Sequence, residues 1–232
     1  GIGARTRRGC GSLATDYDFP VLDLPEANAP ELLTVLQGAT CLKGNSGNYA
    51  LLAWNNAVTL YRDFRQSVNF ARNAGNEVNR PGRSRWSEPD TIRNITGQRA
   101  RLHQPLNLPE GFPRADLGLP IIFHFQGGGD PGDTTLQVND DKRTRFASPV
   151  ITKAIQLPNG TYQPTLLILN APHVWELGDL DLNGNRVTQA HVEMVPADRA
   201  RIHPLTGAGL PVREALLEYA RTTRGWTEGT IL

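Results

Sequence analysis

Apolar positions recur at intervals of three and four from Asn48 to Ala74: Leu51, Trp54, Val58, Tyr61, Phe64, Val68 and Ala71. That spacing lays them along one stripe of a helix, which Gly75 stops. A shorter helix is expected from Pro30 to Gln37, capped by Asn28 and ended by Gly38. Another begins at Ser87, a capping residue with Asp90 three positions on, and closes at Gly97. Pro211 to Thr223 reads as a further helix, burying Leu216, Leu217 and Tyr219 and ending before Gly225.

Between these helices the pattern changes to strands. Leu117 to Phe125, LGLPIIFHF, is a buried strand, and the loop QGGGDPGD leads to a second near Thr134 to Val138. Pro149 to Leu157 and Thr161 to Asn170 form a hairpin around Pro158-Asn159-Gly160. Arg186 to Val195 supplies one more strand. The expected class is α+β, with Leu117 to Phe125 and the hairpin in one antiparallel sheet and helices on one face of it.

Composition agrees with a globular chain: 232 residues, 39% hydrophobic and 20% charged. No apolar run is long enough for a membrane helix. Cys10 and Cys41 lack metal-ligand spacing, as do the five histidines, and no nucleophile motif of the G-x-S-x-G type is present. Neither a metal nor a cofactor is implied.

Net charge is only +1, but it is unevenly spread. Residues 41 to 109 hold ten Lys/Arg against four acids, a balance of +6, which leaves −5 for the remainder. Such asymmetry suits a face that meets an anionic polymer. Of the 24 basic residues 21 are arginine, the side chain suited to bidentate phosphate contact.

Four segments concentrate this chemistry. The opening GIGARTRRGCGSL sets Arg5, Arg7 and Arg8 among Gly1, Gly3, Gly9 and Gly11, so a sugar-phosphate chain can approach the backbone closely. It has no Gly-Lys-Ser/Thr ending and is not a Walker loop. GRSRWSEPD alternates Arg83 and Arg85 beside Trp86, which either stacks on an unpaired base or packs onto the following helix. RTRFASPV places Arg143 and Arg145 before Phe146, and FPRADLGLPIIF places Arg114 just ahead of the expected strand. A glycine loop normally joins two ordered elements, so the 232 residues are read as the carboxy-terminal part of something larger.

GIGARTRRGCGSL, GRSRWSEPDTIR, FPRADLGLPIIFHF and RFASPVI, in this order, resemble the repeat-associated mysterious protein (RAMP) superfamily of CRISPR effector subunits. The likeness spans roughly Gly1 to Leu169 and is greatest to the first-numbered RAMP subunit of the type III-B, or Cmr, complex. Cys10, where a Phe is more usual, is a mild departure. The resemblance implies two ferredoxin-like, RRM-related domains, each an antiparallel sheet backed by helices. Residues 1–25 then hold the glycine-rich end of a largely missing amino-terminal sister domain and a linker, and 26–232 the second domain.

The implied protein is cytoplasmic and non-catalytic. It binds single-stranded RNA, both the guide 3′ end and the target, and assembles with the other Cmr subunits, without membrane contact. Its RNA-binding residues are expected to be Gly1, Gly3, Arg5, Arg7, Arg8, Gly9, Arg83, Arg85, Trp86, Arg114 and Arg145, the arginines converging on one groove. The same superfamily includes metal-independent endoribonucleases that process guide precursors with a histidine acid or base. Under that alternative, His124 or His103 would carry the chemistry.

Overall fold

The computed structural model describes residues 37–68, 70–72, 74, 82, 84–102, 111–140, 144–187 and 211–229. The opening glycine loop, the linker after it and all but the last residue of the expected Pro30–Gln37 helix lie outside these residues. In chain order the elements are β1 (Thr40–Lys43), α1 (Ala50–Gln66), α2 (Glu88–Ile95), β2 (Ile121–Phe123), β3 (Thr134–Val138), β4 (Val150–Gln156), β5 (Tyr162–Ile168), β6 (Leu180–Leu182), β7 (Asn185–Val187), α3 (Val212–Arg224) and β8 (Thr227–Glu228). Two single 3-10 turns, Pro113–Leu117 and Val174–Leu177, complete the set.

The strands form two four-stranded sheets rather than the single sheet expected, and every pairing is antiparallel. One has the order β4-β5-β1-β8, the other β2-β3-β6-β7. The strand within Leu117 to Phe125 therefore belongs to a different sheet from the 150–168 hairpin. The chain is an α+β protein whose residues divide into two units. One draws on the ranges Gly1–Arg62, Pro149–Ala171 and Ala220–Leu232, the other on Asp63–Ser148 and Pro172–Tyr219. The expected domain 26–232 is thus spread over both.

In the first unit the hairpin forms as the PNG turn dictates: Gly160 takes a positive φ of 79°, and Asn159 Oδ1 accepts the Thr161 amide. Register then sets one face of the sheet. Leu42 on β1 stands opposite Leu166 on β5, which stands opposite Thr152 on β4, and all three are buried. Ile168 and Val150 form the next buried row. Gly44, just past β1, is required by the indole of Trp226, since a Cβ there would lie 2.8 Å from Trp226 Cε2.

The second unit has its own apolar core, in which Ile92 of α2, Phe112, Ala115 and Val174 pack with Ile121, Phe123, Leu136, Val138, Leu180 and Leu182 of the sheet. Strand β3 alternates buried and half-buried residues along its length, the period of two expected of a sheet covered on one side. β6 and β7 join through Asn183-Gly184, both with positive φ (49° and 83°), a type I′ hairpin turn.

Asp116, 1% exposed, ties three parts of this unit together. Its carboxylate accepts the Val174 amide at 2.9 Å, His173 Nδ1 at 2.8 Å and the guanidinium of Arg213 at 2.8 Å. The last comes from the first turn of α3, so one buried anion is balanced and fully bonded.

Helix α1 departs from the expected stripe. Its buried positions are Ala53, Ala57, Leu60 and Phe64, whereas Leu51 is 66% exposed and Trp54, Val58 and Tyr61 are half-buried. The helix also ends at Gln66, well before Gly75. Helix α2 starts where expected, but Ser87 does not cap it: the Ser87 hydroxyl donates to the Gly111 carbonyl instead. Gly97 does close it, with φ of 73°.

Candidate functional site

A cleft of about 640 Å³ opens within the second unit. One wall is continuous chain, Ile122 to Gly127, beginning on β2. Among the described residues β2 is the outermost strand of its sheet, paired with β3 alone, so the cleft runs along a sheet edge. The opposite side is built from the end of α1 (Arg65, Gln66), the turn after it (Ala71, Arg72), Gly82 and Ser84, and from Pro89 and Arg93 of α2. Arg101, Arg114 and Asp130 complete the lining. Five arginines therefore line one space, and Asp130 is the single acid among its described lining residues.

These guanidiniums are not equivalent. Arg93 is buried and bridges two carboxylates, Asp90 Oδ1 and Asp130 Oδ1, each at 2.8 Å. The pair Asp90/Arg93 is one turn apart on α2, whereas Asp130 arrives from the glycine-rich β2–β3 loop. Arg93 is thus a neutralised structural cation that pins the loop to the helix, and its guanidinium lies 5.2 Å from the centroid of the Phe125 ring.

Arg114 is half neutralised and wholly positioned. Glu88, fully buried at the first turn of α2, accepts both the Arg114 backbone amide at 2.9 Å and Nε at 3.0 Å on one oxygen. The guanidinium sits between the rings of Trp86 (5.5 Å) and Phe123 (5.8 Å). Nε is used, which leaves the Nη groups as the donors that a cleft ligand could meet.

Arg72 and Arg101 differ from both. Each donates Nε to a backbone carbonyl, Arg72 to Gln66 at 2.6 Å and Arg101 to Gly128 at 3.2 Å. Neither meets a carboxylate among the described residues. Among the described residues Arg72 and Arg101 thus form no ion pair and keep guanidinium donors for an anion, although Asp130 Oδ2 lies near Arg101, each being 2.6 Å from where a Gly127 Cβ would stand. Arg101 also lies directly on the glycine loop, because a Cβ on Gly127 would stand 2.6 Å from its guanidinium carbon.

His124 stands on the same wall, two-thirds exposed, with Nδ1 2.9 Å from Asp133 Oδ2. A carboxylate only accepts, so Nδ1 carries the hydrogen and Nε2 is left as the ring nitrogen able to exchange a proton.

Of the residues singled out from sequence, Arg114 lines this cleft, and Gly82 and Ser84 bring the chain on either side of Arg83 to it. Arg83 itself, like Gly1, Gly3, Arg5, Arg7, Arg8, Gly9 and His103, lies outside the described residues. Arg85 is half-buried and donates its backbone amide to Ala71, and Arg145 is exposed; neither lines the cleft.

Trp86 is 2% exposed, with its edge on Phe64 (5.4 Å, 70°) and Nε1 donating to the Arg65 carbonyl at 3.0 Å. Of the two roles weighed for it, packing is the one this burial permits, since a base cannot reach the indole.

Arg65, Arg72, Arg93 and Arg101 were the residues that sequence reasoning passed over. The charge run between residues 41 and 109 contained all four, but nothing in it separates those that carboxylates neutralise from those that face the cleft.

No family model matches the chain, and no curated protein or solved structure matches it either.

Proposed function

We propose that this chain is a non-catalytic RNA-binding subunit of a type III-B CRISPR effector complex, a RAMP-superfamily protein that contacts the guide 3′ end, the target RNA or both. The four sequence motifs supply the family context. The observation that carries the binding role is the cleft lined by five arginines, two of them in no ion pair with a described carboxylate.

The fold reading is ferredoxin-like, and the first unit supports it. The elements lying wholly or partly in its ranges run β1-α1-β4-β5-α3-β8, a β-α-β-β-α-β sequence in which α3 passes from the second unit into the first after Tyr219. Renumbered within that unit, the sheet order is 4-1-3-2, all antiparallel. That is the split arrangement in which each helix connects two strands with a third lying between them. The second unit's ranges begin inside α1, at Asp63, and again after β5, running there to Tyr219 within α3. The RNA partners, the other Cmr subunits and a cytoplasmic setting belong to the same proposal. Among the described residues no helix is long and apolar enough to cross a membrane.

The test is binding of a labelled single-stranded RNA across a salt series, comparing the natural protein with Arg72→Ala/Arg101→Ala. Phosphate contacts give a linear fall of log affinity with log salt. Losing two of them lowers the slope by about 1.4 at the single-strand value of roughly 0.7 each. Salt-independent binding, or an unchanged slope in the double variant, rejects the reading.

The endoribonuclease reading keeps one specific support, the His124–Asp133 pair on the cleft wall. It requires cleavage of repeat RNA in EDTA that is lost in His124→Ala. Intact RNA after incubation with the natural protein removes it.

A further inference from the structure

The cleft is not only cationic. Its β2 wall carries three consecutive rings, Phe123, His124 and Phe125, and they stand in different positions. Phe123 is buried in the core, and His124 projects into solvent beside Asp133. Phe125 is intermediate: packed against the core cluster, half-buried, and part of the cleft lining.

What holds Phe125 in place is unusual for a residue at a sheet edge. Arg93 stands 5.2 Å from its ring centroid, and Arg93 is itself fixed by the two carboxylates of Asp90 and Asp130. A ring braced by a clamped guanidinium loses little freedom when a second flat group is laid on it, so stacking there carries little ordering cost. Arg101, whose guanidinium rests against Gly127 two residues along the chain, adds a further cation to the lining of the cleft that Phe125 also lines. An aromatic surface beside a phosphate-binding cation is the arrangement that single-stranded nucleic acid uses, and a duplex cannot offer its base faces to it. Trp86 cannot serve in this way, because it is buried.

Resting on the RNA-binding reading, we infer that Phe125 is the platform on which one unpaired base of the bound RNA stacks, and that this contact makes the cleft select single strands over duplex.

The experiment compares Phe125→Leu and Phe125→Tyr with the natural protein, using a single-stranded dodecamer RNA and the corresponding RNA duplex. Phe125→Leu is expected to weaken single-strand binding about tenfold with no change in salt slope. It should leave duplex binding unchanged, and Phe125→Tyr should retain single-strand affinity. Single-strand affinity within twofold of natural in Phe125→Leu overturns the inference, as does a loss that is equal for single strand and duplex.

Should Phe125→Leu melt early, 2-aminopurine walked along the strand in the natural complex decides the matter. One strongly quenched position supports a stacked base, and none overturns it. Failure of the underlying reading looks different: salt-independent RNA binding, or indifference to Arg72→Ala/Arg101→Ala.

Discussion

Glu88 and Arg114, 26 residues apart in the chain, meet through a single oxygen: Glu88 Oε1 accepts both the amide and the Nε of Arg114. Glu88 is fully buried, and its other oxygen has no hydrogen-bond partner among the described residues. The pair fixes the 3-10 turn against the start of α2 and aims Arg114 at the cleft.

Removing the acid strands a largely buried cation and an amide. Glu88→Ala is therefore expected to cost about 3–5 kcal/mol, read as a lower urea midpoint with unchanged m-value. Destabilisation below about 1 kcal/mol, the scale of an exposed pair, would show that the two charges are solvated in solution.

Trp86 separates packing from binding. Trp86→Ala should cost about 3–5 kcal/mol by cavity formation. Trp86→Phe keeps most of the volume and loses the bond to the Arg65 carbonyl, about 1 kcal/mol. Affinity of the folded Trp86→Phe protein for single-stranded RNA is expected to match the natural protein. A selective loss of affinity at unchanged stability would return the indole to the binding surface.

Gly127 acts on binding through Arg101. A methyl group there lies 2.6 Å both from the Arg101 guanidinium and from Asp130 Oδ2. Arg101 can swing away, but Asp130 is held by Arg93, so the methyl group also strains that buried ion pair. Gly127→Ala should weaken RNA binding, though less than Arg101→Ala, and lower stability by about 1–3 kcal/mol through overpacking against Asp130. Affinity unchanged in Gly127→Ala but reduced in Arg101→Ala would mean that Arg101 binds from more than one position.

Cys41 introduces a pH dependence. Burial pushes its thiol above the ordinary range, partly offset by Lys43. The folded chain then holds that proton at pH values where the unfolded chain has released it. Stability from this group is complete below the ordinary thiol range and declines as pH rises through the raised value. Urea midpoints of the natural protein and Cys41→Ala should run parallel at neutral pH and converge in that alkaline window. Parallel lines throughout would refute the shift.

Local signals in the sequence were reliable where one residue type forces a backbone state. The PNG turn located the β4–β5 hairpin, Gly225 (φ 65°) ended α3, and Gly97 ended α2. The stripe on α1 failed because the buried face is built on Ala53 and Ala57. Weighting positions by side-chain size points toward Leu51 and Trp54, whereas close packing selects small residues.

The division into two sheets was invisible for a different reason. β1 is four residues long and pairs with strands more than a hundred residues away, so no local pattern announces it. Likewise the arginines were legible as a charge run. Which of them face the cleft depends on Asp90, Asp130 and Glu88, acids whose partners only folding selects.

The outermost position of β2 carries one more consequence. An apolar strand end, Ile122-Phe123 with Phe125 beyond, has no strand paired to its outer side among the described residues, and such an edge readily recruits a strand from another molecule. Ringed by guanidiniums, that edge repels an identical copy bearing the same charges. The positive field that would draw a polyanion toward the cleft would then also oppose edge-to-edge association of two copies, and less so wherever salt screens it.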